Sequence, residues 1–108
     1  MKNPKESIDA CLTCLVSCEA CIHDCLKNNH LHCIALCRDC ADICALCAKL
    51  EARNSIYVHE LHVLCAKVCK DCAIECAKHA NELASCKTCA EACQKCEEAC
   101  HESSIIIV

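Results

Sequence analysis

The 108-residue chain carries nineteen cysteines, one Tyr with no Phe or Trp, one Pro and no Gly, at a formal charge of −4. That shortage of Gly and Pro starves turn-rich β architectures of their punctuation, and the residues around the cysteines are largely helix formers such as Ala, Leu, Glu and Lys. Acidic and basic residues are interspersed, so there is no basic patch for nucleic acid and no charge pattern for a membrane surface, and no stretch approaches the roughly 18 apolar residues of a membrane span.

The first predicted helix covers about 4–27, with Asn3 as N-cap, Pro4 at the first helical position and Glu6 three residues after the cap. Its thiols, Cys11, Cys14, Cys18, Cys21 and Cys25, recur at steps of three, four, three and four residues. This is the heptad period of a helix buried along one stripe. Asn28-Asn29 stands in for the missing glycine stop, because Asn tolerates the left-handed conformation better than most side chains. The second helix, about 30–53, carries Cys33, Cys37, Cys40, Cys44 and Cys47 and ends at Asn54-Ser55. The third, about 56–80, carries Cys65, Cys69, Cys72 and Cys76, with His62 and His79 continuing the register outward, and Asn81 marks its end. The fourth, about 82–102, carries Cys86, Cys89, Cys93, Cys96 and Cys100.

Four similar helices on short connections predict an all-α fold, an antiparallel up-down-up-down four-helix bundle with the cysteine stripes turned inward, as a single domain over 1–108. The registers place Cys25, Cys33 and Cys86 with His79 at one end, and Cys11, Cys47 and Cys100 with His62 at the other. Apolar rows run beside the thiols: Ile8, Leu12, Leu15, Ile22 and Leu26; Leu36, Ile43, Leu46 and Leu50; Tyr57, Leu61, Leu64 and Val68. Helix four instead shows Lys87, Glu91, Gln94, Lys95, Glu97 and Glu98. Apolar side chains left outside a filled core predict self-association through helices one to three, with helix four facing water. The Ile105 to Val108 tail, β-branched and exposed by position, reads either as a frayed end or as a segment docked against a neighbouring subunit.

A short cysteine-rich chain suggests a secreted disulfide scaffold, but three features oppose that reading. Met1 to Ser7 has no apolar export region, the cysteine number is odd, and the spacing is that of one helix face. The expectation is a reduced, soluble, cytosolic protein. Residues four apart on a helix lie about 5 to 6 Å apart at Cβ, and a linear sulfur–metal–sulfur unit spans about 4.5 Å. Pairs such as Cys14/Cys18, Cys40/Cys44 and Cys72/Cys76 therefore suit a soft ion content with two or three thiolates, which among biological metals means Cu(I).

Zinc is the competitor. A zinc held by four thiolates is a dianion, and no Lys or Arg lies in the seam to offset a stack of them, whereas one Cu(I) per thiolate is neutral. Iron–sulfur ligation lacks its C-x-x-C-x-x-C triplet, and the C-x-x-C steps are by-products of the heptad without a thioredoxin-like strand–helix setting. No catalytic triad, carboxylate pair or phosphate loop is present, so the chain is not expected to be an enzyme. His62 and His79 are candidate capping ligands; His23, His30, His32, His59 and His101 are candidate groups where ions come in. A zinc-stabilised interaction module and a thiol redox buffer remain the alternatives.

Four consecutive helices striped C-x-x-C-x-x-x-C, with His near helix ends and no export signal, resemble the cytosolic branch of the bacterial four-helix-bundle copper storage proteins over about residues 4–102. The resemblance implies Cu(I) storage in the bundle core, a homotetramer, all nineteen cysteines as ligands, and one open end lined partly by His.

Overall fold

In the computed structural model, which describes residues 4–104, the heptad-spaced thiols do lie on four helices. These are α1 (Pro4–Lys27), α2 (Leu31–Ala52), α3 (Val58–Ala77) and α4 (Ala84–Ser104). The expected Asn3 cap and the Ile105 to Val108 tail fall outside the described residues.

Two of the three asparagine stops work as expected. Asn29 and Asn54 take the left-handed conformation, with φ of 58° and 52°. Each lets the chain fold back on the helix it leaves: His30 N–H donates to the Cys25 carbonyl at 3.2 Å, and Ser55 N–H to that of Leu50 at 2.9 Å. The third connection differs. α3 stops at Ala77, three residues short of the expected end, and residues 78–82 run on as successive turns. Lys78 and His79 N–H donate to the Glu75 and Cys76 carbonyls, and both Glu82 and Leu83 N–H reach that of His79. Tight three-residue bonds thus replace the left-handed stop, and Asn81 keeps a negative φ. α3 also begins two residues late, because Tyr57 N–H donates to the Ser55 hydroxyl and Val58 N–H to the Ser55 carbonyl. At the far end of the chain α4 runs two residues past the expected 102.

Short connections make sequence neighbours antiparallel, and the ring closes with α4 beside α1, while the diagonal helices meet across the axis through sulfur, as in Cys21–Cys76 and Cys44–Cys96, each at 3.9 Å. The result is a rod of 45 × 18 × 18 Å. Its axis is sulfur: every cysteine is at most 1% exposed. Ala41, Ala48, Ala92 and Ala99 fill the helix interfaces, and Ile8, Leu15, Ile22, Ile43, Leu61 and Val68 lean partly buried against the thiols. So part of each apolar row widens the core, as an amphipathic helix in a bundle needs. The rest stays outside: Leu12, Leu26, Leu46, Tyr57 and Leu64 are exposed, as are Val16, Leu31, Ile56, Val63 and Ile74.

Candidate metal site

Each helix delivers its thiols to the axis in steps that nearly match a turn, so sulfurs of four helices stack as layers. All nineteen are free thiols. Within a helix, Cys14–Cys18, Cys21–Cys25, Cys40–Cys44, Cys65–Cys69, Cys72–Cys76 and Cys89–Cys93 bring Sγ atoms to between 3.8 and 4.0 Å. Contacts across helices are as short or shorter. Cys14 lies 3.5 Å from Cys93 and 3.7 Å from Cys40, against 4.0 Å from Cys18 on its own helix. Cys21 likewise reaches Cys86 at 3.5 Å, and Cys37 reaches Cys76 at 3.6 Å. The i, i+4 pair is therefore one edge of a larger unit, a quartet drawn from several helices. Cys11, Cys47, Cys65 and Cys100 form one such group and Cys14, Cys18, Cys40 and Cys93 another, each with all four sulfurs within 4.8 Å of one another.

A metal–sulfur bond of about 2.3 Å puts sulfurs about 3.8 Å apart around a tetrahedral ion, about 4.0 Å around a trigonal one and about 4.5 Å across a linear one. The lattice is thus close to what two-, three- or four-coordinate ions need. Distance alone does not choose among them; charge does. Among the described residues the buried polar ones are Ser7, His62 and Glu75, so no Lys or Arg of these residues sits among the thiols. Without a cation beside them, Cys25 and Cys86 are pushed above the ordinary thiol range, first of all by burial. At this end of the axis burial thus favours the neutral thiol.

The ends differ from the expected layers. Cys65 completes a quartet with Cys11, Cys47 and Cys100. His62 stands one turn further out, with Nε2 3.0 Å from Glu51 Oε1, and the Ser7 hydroxyl lies 2.7 Å from both Glu51 oxygens. The missing fifth cysteine of α3 is therefore missing at the other end, where Cys25 and Cys86 pair at 3.7 Å beyond Cys76. There His79 stacks on His30 with ring centroids 3.9 Å apart and planes 20° from parallel. His79 Nε2 lies 3.2 Å from Glu75, and His30 Nε2 lies 3.5 Å from Glu82. His30 Nδ1 is buried with no hydrogen-bond partner. Burial works to raise the Glu75 carboxyl, but hydrogen bonds from Lys78 and His79 outweigh it and hold the group below its ordinary value. His32 lies at the edge of this cluster, 3.9 Å from Glu75, while His23, His59 and His101 are exposed.

Three polar residues escaped the sequence reading. Ser7, four before Cys11, and Glu51, four after Cys47, extend the cysteine register and were open to the same periodicity that picked out His62. Glu75, beside Cys76 but off the stripe, gave no such signal.

A family model described as "Csp: Copper storage protein" matches residues 1–105. The chain belongs to the copper storage protein family. Among relatives, the "Uncharacterized cysteine-rich protein YhjQ" of Bacillus subtilis (strain 168) is 41% identical over 97 residues, spanning 86% of this chain and 88% of that protein. The structure of Cu(I)-bound copper storage protein BsCsp3 superposes with a TM-score of 0.87 at 38% identity, covering 93% of this chain and 96% of its own. A cytosolic copper storage protein from Streptomyces lividans, loaded with five coppers, gives 0.91 at 35% identity, covering 97% of this chain and 94% of its own. The four-helix architecture and the sulfur-lined axis are thus those of a copper storage protein.

Proposed function

We propose that this chain stores Cu(I) in the cytosol as a thiolate-bridged array along the bundle axis, with all nineteen cysteines as ligands. The observation that carries the reading is a continuous lattice of buried sulfur with no cation among it. One monovalent ion per thiolate leaves such a core neutral, whereas stacked zinc tetrathiolates would leave uncompensated buried charge costing several kcal/mol per site. Family membership and the copper-loaded relatives support the same cargo. The relative from Streptomyces lividans, described as cytosolic, supports the compartment.

The role is that of a container and not of a catalyst. The surface hollows described on the rod are open grooves, such as the one of about 440 Å³ bounded by Glu91, Gln94, Lys95 and Glu98, and no cysteine lines them. Ions come and go at the His30–His79 end, where His79 offers an imidazole above Cys25 and Cys86. The exposed Leu12, Leu26, Leu46, Tyr57 and Leu64 support assembly into a homotetramer through α1 to α3, with the charged face of α4 in water.

Anaerobic titration of the reduced chain with Cu(I) against a competing chelator tests the storage reading. It should bind between about 8 ions, one per i, i+4 pair, and about 19, one per thiolate. Saturation at about four divalent ions, with helicity lost on chelation, would instead identify a zinc-stabilised module. Light scattering of the same sample reads the mass of the assembly.

A further inference from the structure

The four helices are not attached to the bundle by the same means. Beside its thiols, α1 packs Ile8, Leu15 and Ile22 partly buried against the core, α2 packs Ile43, and α3 packs Leu61 and Val68. α4 has no counterpart. Between Ala84 and Ser104 its apolar side chains are all Ala or Cys, and its buried residues are Ala92, Ala99 and its five cysteines. Leu83, partly buried just ahead of the helix, is the last larger aliphatic side chain among the described residues. Ser7, Glu51 and His62 also tie α1, α2 and α3 to one another. Burial of apolar area is what chiefly holds a helix in place, and a helix owes most of its stability to the face it packs. A thiol is only a small hydrophobe with a weak donor. Without metal, α4 is therefore the helix most lightly held.

The sulfurs of α4 reach furthest into the rest of the bundle. Cys93 lies 3.5 Å from Cys14, and Cys86 lies 3.5 Å from Cys21, both across to α1, to which α4 has no direct connection. The quartet of Cys14, Cys18, Cys40 and Cys93 joins α4 to α1 and α2, and that of Cys18, Cys72, Cys89 and Cys93 joins it to α1 and α3. An ion held in either replaces weak thiol contacts by metal–sulfur bonds from α4 to two other helices. Such an ion binds only the docked arrangement, so each one bound shifts the chain toward it.

We propose that α4 is a load-dependent latch, lightly docked in the metal-free chain and locked onto α1 to α3 by the ions it helps to hold. The proposal takes its cargo from the storage reading and adds a readout to it: the filling of a buried axis is displayed on the surface as the order of one charged helix.

Hydrogen exchange read by mass spectrometry on the full reduced chain, first metal-free and then loaded anaerobically with Cu(I), tests this. In the metal-free chain the amides of α4 exchange about tenfold to about a hundredfold faster than those of α2 and α3. The control is α1, which is also a terminal helix but carries aliphatic anchors, and it exchanges more slowly than α4 by a similar margin. Loading slows α4 by about a hundredfold or more and the other helices by less. Exchange that is alike in α1 and α4 without metal, or a slowing that is equal in all four helices, overturns the latch.

The variant Ala90→Leu supplies the missing kind of anchor at a partly buried position of α4. It slows the metal-free exchange of α4 by about tenfold and leaves the copper capacity unchanged. Ala90→Val, a smaller addition, acts in the same direction and covers the case in which Leu overpacks the site. Unchanged α4 exchange in both variants overturns the latch. Saturation at only a few ions, in a chain whose α4 exchanges fastest without metal, overturns the storage reading alone.

Discussion

The two ends of the rod are made from the same kinds of residue, His and Glu, yet they are joined in opposite ways. At the Cys11 end, three helices meet in short hydrogen bonds, with Glu51 between Ser7 and His62. At the Cys25 end, two rings lie face to face and each looks outward to its own acid. The lesson is that the presence of a histidine near a metal array says little about its part. What matters is whether its nitrogen is already committed to a buried partner.

Changes at the His30–His79 end should have the largest effect. His30→Ala with His79→Ala should slow Cu(I) uptake by about tenfold or more while leaving the final stoichiometry unchanged, as expected when a positioned ligand is lost along a path and not at its terminus. Stopped-flow mixing with a Cu(I)–chelator complex reads the rate, and an unaltered rate would remove the distinction between the ends. Next in size is Glu51→Ala, which strands the His62 ring and the Ser7 hydroxyl and should cost about 2 to 3 kcal/mol in chemical denaturation of the metal-free protein. The same change at Glu75, whose partners Lys78 and His79 reach solvent, should cost about 1 kcal/mol or less.

The alkaline limb gives a smaller effect with a defined sign. Cys25 and Cys86 stay protonated in the folded chain beyond the ordinary thiol value of 9.0, so the folded state holds more protons than the unfolded one above that pH. Their contribution is fully present below about pH 9 and is lost as pH rises, so the metal-free melting temperature should fall on the alkaline side. Cys25→Ala with Cys86→Ala should flatten that slope. Least of all, His59→Ala, on an exposed position, should leave stability within about 0.5 kcal/mol and copper capacity unchanged.

The helices and their buried faces were legible because period and composition agree: heptad-spaced thiols, good helix formers between them, and Asn at each break, two of which take the left-handed conformation. The axial alignment was not. A stripe of identical residues looks the same after sliding by one layer, so sulfur facing sulfur could not tell whether His62 or Cys65 sits beside Cys11. The distinct residues Ser7 and Glu51 resolve it, and they become visible as partners only when α1, α2 and α3 are brought together. The connection at 78–83 escaped for a different reason. Its turns come from backbone bonds around His79, which no residue type announces.

The absence of Lys and Arg along the sulfur axis carries a consequence for the surroundings of the rod. A buried core with no cation beside its sulfurs stays uncharged only if thiols give up protons as monovalent ions come in. Such a protein behaves as an ion exchanger: about one proton leaves for each thiolate that takes up metal, and discharge draws protons back. Mild acid therefore drives copper out, and the filling of many rods at once is a local source of acidity as much as a sink for copper.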